Sequence, residues 1–244
     1  MFFRNNTSDS LFVKKQTVVV WSPGGKNTTV ISLALAQRIS AYTRTILVEL
    51  PCLGIPRLAI EAGIMDRTNN TDAAILEFER KGGSPLRFCT RCGDNLIILP
   101  ANPYALPDHP VVHKVSDSGT LPGFPGFLVN EAEKNGHQVV IFDCQGVLAS
   151  PMTFYSLKLA DKIIMVVDRP SDIAWSLLNK KRLVEGYEID EKSFVVSADD
   201  KAYFEEIEKV LQCPVVSLDS LINILDYKQE SKNYLPQQKE VVTN

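Results

Sequence analysis

The chain alternates short, wholly apolar runs with longer stretches in which apolar residues recur every three or four positions. Residues 17–21 (TVVVW) form an unbroken β-branched and aromatic run, the pattern of a strand buried on both faces of a parallel sheet. Similar runs at 45–50 (TILVEL), 95–100 (NLIILP), 138–143 (QVVIFD) and 162–168 (KIIMVVD) predict further strands. In 30–40, the spacing of Ile31, Leu33, Leu35 and Ala36 fits a helix packed on a sheet. Residues 72–80 and 171–184 also read as helices, with Trp175 and Leu178 sharing one face that reads as core. Short runs at 194–197 and 214–217 predict the final strands, separated by an amphipathic stretch at 202–211.

Strands alternating with helices predict a doubly wound, mostly parallel α/β sheet. Residues 103–125 are rich in Pro, Gly and His and read as a long ordered loop or lid. The pattern divides the chain into an extension over 1–16, one domain over 17–227 and a polar, frayed tail over 228–244.

Composition narrows this picture. The chain has 244 residues, 45% of them hydrophobic, enough for one large α/β domain. No run of about eighteen apolar residues is present to span a membrane, and MFFRNNTSDS lacks a signal peptide's apolar core. The five cysteines are irregularly spaced and do not form a disulfide framework, which points to a reducing cytoplasmic compartment. With a net charge of −3 and no long basic run, the chain offers little to nucleic acid. Residues 218–227 place Leu221, Ile222 and Leu225 at helical spacing, but with too few cations for a lipid surface; packing on the domain is expected.

Candidate chemistry begins after the first strand. Residues 21–29 (WSPGGKNTT) join a strand to a helix through Gly24 and Gly25. A helix opening after a Gly-rich turn presents unpaired N–H groups and a positive dipole end to phosphate. The usual phosphate loop reads G-x-x-x-x-G-K-[ST], in which Lys reaches the phosphates and the hydroxyl holds magnesium. This segment departs from it.

The element order and the segment WSPGGKNTTV resemble the MinD/ParA branch of P-loop ATPases, whose loop reads K-G-G-x-G-K-T-T. Aligned on the paired threonines Thr28 and Thr29, Ser22 takes the place of the signature Lys, and Pro23 and Gly24 take the places of the two glycines. Lys26 then replaces the last Gly, Asn27 replaces the phosphate-binding Lys, and Thr28 keeps the magnesium position. In the other register Lys26 is the phosphate Lys, the loop is short and Asn27 replaces the hydroxyl ligand. Both registers describe a degenerate Walker A motif.

The same resemblance assigns the remaining landmarks. ILVELPCLG resembles the switch segment V-D-x-D, with Glu49 on the first acid and Pro51 on the second, where no side chain is left to orient water. VVIFDCQG resembles the Walker B strand and second switch, with Asp143 holding magnesium and Gly146 in the sensor loop. Ser197 or Asp199 falls where the family has its adenine-binding Asn. The WSP entry and the Leu–Gly after the switch resemble the TadZ/CpaE-like pilus-assembly branch. The resemblance covers about 17–220. It implies ATP and magnesium as ligands, protein partners and a homodimer.

Cys89 and Cys92 lie two apart, with His109 and His113 downstream, a spacing compatible with zinc. The predicted strand at 95–100 falls between the pairs, which favours free thiols in a hairpin and loop histidines instead. Three functions follow. The first is a positioning or assembly factor with weak or lost ATPase activity, acting as a scaffold in a pilus or secretion machine. The second is an active ATPase that uses Lys26 and dimerises with nucleotide. The third is a zinc-binding interaction module.

Overall fold

A computed structural model describes residues 15–51, 55–106, 119, 121–144, 150–167, 169–188, 193–196, 208–209, 213 and 215–217. The strands are β1 (Gln16–Trp21), β2 (Thr45–Glu49), β3 (Thr90–Arg91), β4 (Leu96–Leu99), β5 (Val139–Cys144), β6 (Lys162–Val166), β7 (Ser193–Val196) and β8 (Val215–Val216). The helices are α1 (Thr28–Ser40), α2 (Leu58–Glu61), α3 (Thr71–Glu79), α4 (Phe124–Lys134), α5 (Pro151–Leu159) and α6 (Pro170–Tyr187).

One sheet of eight strands runs in the order β3-β4-β2-β5-β1-β6-β7-β8. Every pairing is parallel except β3 with β4. The fold is therefore the mostly parallel α/β architecture that the alternating pattern predicts.

Period-two alternation explains why both faces need helices. Val18, Val20, Leu47, Ile141, Ile164 and Val166 point to one face, where Ile31, Leu35 and Ala36 of α1 and Leu58 of α2 cover them. Val19, Trp21, Val48, Phe142, Ile163 and Met165 point to the other. There they meet Ile75 of α3, Phe124 and Leu128 of α4, Met152 of α5 and Ile173 of α6. Fully burying one such side chain contributes about 1.5–3 kcal/mol, so β1, with Val19, Val20 and Trp21 at 0% exposure, anchors both layers.

Several details differ from the sequence reading. The helix at 30–40 begins at Thr28, because Asn27 leaves β geometry early and adopts φ 60, ψ 2 as the N-cap. The proposed loop at 103–125 ends in helix: a 3-10 turn at Leu121–Gly123 runs into α4, whose Phe124, Leu128 and Ala132 are buried at helical spacing. On α6, Trp175 packs against the core, but Leu178 is 86% exposed and is not a core residue. The helix buries the stripe Asp172, Ile173, Ser176 and Leu183 instead. The stretch at 202–211, apart from 208–209, and the segment 218–227 lie outside the described residues. No helix among the described residues is long and apolar enough to cross a membrane.

Candidate functional site

Strand order places the site. β5 lies between β1 and β2, and the three strands end side by side. In register, Asp143 of β5 is flanked by Val20 of β1 and Glu49 of β2. All three belong to the face covered by α1, so the helix N-terminus and two carboxylates converge at the carboxyl edge of the sheet. Ligands of open α/β sheets bind at such edges, where strand order reverses.

Residues 22–27 connect β1 to α1. Gly24 N–H donates to Ser22 Oγ at 3.2 Å and Gly25 N–H donates to Ser22 O at 3.2 Å. The turn closes because Gly25 takes φ +65, a left-handed geometry that glycine adopts without strain. Asn27 is left-handed as well, and Asn is among the few other residues that tolerate this. Lys26 is exposed, while Thr28 and Thr29 are buried in the first turn of α1.

Asp143 is fully buried. Its two oxygens and the Thr28 hydroxyl lack a well-formed hydrogen bond, although the Thr28 and Thr29 hydroxyls lie close to the carboxylate. Burial and the nearby Glu49 push the Asp143 carboxyl up to about 7, although the hydroxyls of Thr29 and Thr28 and the charge of Arg57 favour its ionised form. Buried polar atoms are almost always fully paired, so a buried acid met only by threonine hydroxyls is under-satisfied.

Glu49 is equally buried but fully engaged. Its Oε1 accepts from Arg57 N at 2.8 Å and Leu58 N at 3.1 Å, and its Oε2 accepts from Ala101 N at 2.9 Å. Burial raises its pKa, and the three backbone donors oppose that rise. The carboxylate thus fastens the start of α2 and the chain after β4 to the end of β2. Pro51 follows β2 and is half-buried. Gly146 lies outside the described residues.

Two arginines that the sequence reading passed over reach the loop. Arg57 Nη1 donates to Gly25 O at 3.0 Å, and Arg169 Nη2 donates to Gly24 O at 3.2 Å. Arg169 also pairs with the buried Asp172 at 3.8 Å. A Cβ on Gly24 would run into the end of the Arg169 side chain and lie 2.6 Å from Asp172 Oδ1, so a side chain here would displace the Arg169–Asp172 pair. The only sequence signal for Arg169 is its place before Pro170, the first residue of α6.

Comparison with solved structures identifies this arrangement. The ParA family ATPase from Chlorobium tepidum TLS superimposes with a TM-score of 0.66 at 15% identity, covering 92% of this chain and 93% of its own. The fold is that of the ParA and MinD ATPases. MinD cell division protein of Aquifex aeolicus gives a TM-score of 0.59 at 16% identity, covering 87% and 90% of the two chains. A Cyanothece McdA variant in complex with ATP gives 0.62 at 13% identity, covering 86% and 87%. No protein-family model and no curated protein matches the sequence. Within the ParA/MinD-like fold, the loop, Glu49 and Asp143 occupy the ends of the three central strands.

The alternative metal site divides. Cys89 and Cys92 flank β3, which forms an antiparallel hairpin with β4, and Cys92 Sγ donates to Thr90 O at 3.7 Å. Burial pushes the Cys89 thiol up to about 12 and also raises Cys92, so without a metal both rest as thiols. His109 and His113 lie outside the described residues. Among the described residues, no cluster of three or more His, Cys, Asp or Glu side chains is placed to hold a metal ion.

Proposed function

We propose that this chain is a ParA/MinD-like positioning or assembly factor that binds a magnesium nucleotide at 24–29 and hydrolyses it weakly or not at all. The carrying observation is the pair of buried, under-satisfied groups that face each other at the N-terminus of α1, the Asp143 carboxylate and the Thr28 hydroxyl. A hard divalent cation takes oxygen ligands of this kind. Thr28 and Asp143 would hold it, directly or through water, which favours the register with Thr28 as the hydroxyl ligand. When bound, magnesium bridges phosphate oxygens and neutralises their charge.

The same register leaves Asn27 where a phosphate-binding Lys is expected and Pro51 where an acid would orient water. Phosphoryl transfer depends on positioning and on stabilising developing charge. A site lacking both groups keeps binding and loses turnover. The similar MinD of Aquifex aeolicus forms a complex with MinC, and a protein partner, with a second copy of this chain as one form of it, fits a nucleotide-dependent scaffold. Assignment to a pilus or secretion machine rests on the WSP entry and the Leu–Gly after the switch segment.

Titration calorimetry with magnesium–ATPγS and phosphate release with magnesium–ATP test the reading together. Micromolar binding with turnover below about one per hour supports it. Turnover of several per minute that vanishes in Lys26→Ala identifies an active ATPase using Lys26 and overturns the scaffold reading.

A further inference from the structure

The loop spends its own donors internally. Gly24 N–H and Gly25 N–H both bond to Ser22, so two backbone groups that could face a phosphate are already occupied. A polyphosphate at this edge also meets the buried carboxylates Asp143 and Glu49, and needs cations from outside the loop. Arg57 and Arg169 are the cations in place. Arg57 follows β2 and Arg169 follows β6, so the two arrive from strands on opposite sides of β1.

Each guanidinium rests on a loop carbonyl, Gly25 O for Arg57 and Gly24 O for Arg169. Each carries five N–H donors in a planar fork suited to phosphate oxygens. The Arg169 side chain remains 50% exposed, and Arg57 is exposed. Both are held from behind: Arg57 by its own backbone N–H on buried Glu49, Arg169 by buried Asp172.

We propose that Arg57 and Arg169 grip the phosphates of a bound nucleoside polyphosphate, supplying from both sides of the loop the charge that a loop lysine supplies elsewhere. The inference rests on the nucleotide-binding reading above and adds its specificity for polyphosphate. It assigns the arginines a larger share of the phosphate binding than Lys26.

The test is calorimetric titration of the full chain with magnesium–ATPγS and with inorganic tripolyphosphate. Wild type is compared with Lys26→Ala, Arg57→Ala, Arg169→Ala, the double arginine variant, and the corresponding Arg→Lys variants. The expected result is about a tenfold rise in Kd for each Arg→Ala change and about a hundredfold for the double, with a smaller rise for Lys26→Ala than for either arginine change. The Arg→Lys variants keep the charge and recover most of the binding. Thermal midpoints without ligand confirm that each variant folds. Arginine variants that bind as wild type, or Lys variants that fail as fully as Ala ones, overturn the proposal and leave the nucleotide reading standing. Wild type that binds neither probe overturns both.

Discussion

Glu49 and Asp143 are register partners on neighbouring strands, two carboxylates with no exposed surface on one face of the sheet. Their surroundings separate their tasks. Glu49 satisfies three backbone N–H groups and is part of the framework. Asp143 lacks a well-formed hydrogen bond and carries the cost of burial.

Removing that cost stabilises the metal-free protein. Because the Asp143 pKa is raised from 3.8 to about 7, the folded state holds a proton that the unfolded state releases. Stability therefore falls as pH rises between those values and is flat above the upper one. Asp143→Asn is expected to raise stability at pH 8 by up to about 4 kcal/mol and to abolish any stabilisation by magnesium–nucleotide. Urea denaturation at pH 5 and pH 8 checks both; a variant no more stable than wild type at pH 8 contradicts the assignment.

Glu49 behaves in the opposite way. Glu49→Ala strips the acceptor from Arg57, Leu58 and Ala101 N–H, an expected loss of about 3 kcal/mol or more and a fall in Tm on the order of 10 °C. Glu49→Gln, which keeps one acceptor oxygen, should fall between. Equal stability of Glu49→Ala and wild type in a thermal melt would show that these bonds do not hold the start of α2 and the chain after β4 in place.

Backbone handedness at Asn27 gives a third test. At φ 60 a β-branched side chain is strained, so Asn27→Val should be less stable than Asn27→Gly by about 1–2 kcal/mol. If Val and Gly at this position unfold at the same urea concentration, α1 does not begin as described.

The hairpin thiols provide a fourth. With Cys89 pushed up to about 12 and Cys92 also raised, neither is a thiolate at pH 7.5. Purified protein is expected to contain less than about 0.1 equivalent of zinc. Cys92, being exposed, should react with a maleimide before Cys89 does. Stoichiometric zinc by elemental analysis would restore the metal-module reading.

The central strands were legible because burial on both faces demands continuous apolar runs, as in TVVVW and QVVIFD. The short polar strand β3, with only Thr90 and Arg91, carries no such signal. α5 was missed although Ser150 caps it and Pro151 opens it, a start signal readable in Ser-Pro. Leu178 was misread because spacing from Trp175 fixes a shared face but not where that face stops being covered. Asp143 stands out through the resemblance of VVIFDCQG to a Walker B strand. Arg57 and Arg169 do not, because contacts between a side chain and a loop 32 and 145 positions away leave no local pattern.

The order of strands also has a consequence for how the protein comes into being. β5, made after β1, β2, β3 and β4, inserts between β1 and β2 rather than at an edge. Until the ribosome has delivered residue 144, the two oldest core strands lack the neighbour that joins them, and the acid at Asp143 is absent. Pairings of such long sequence separation close late and slowly. A nascent chain therefore presents the Gly24–Gly25 loop long before it possesses Asp143, so the arrangement of loop and acid exists only once the sheet has closed.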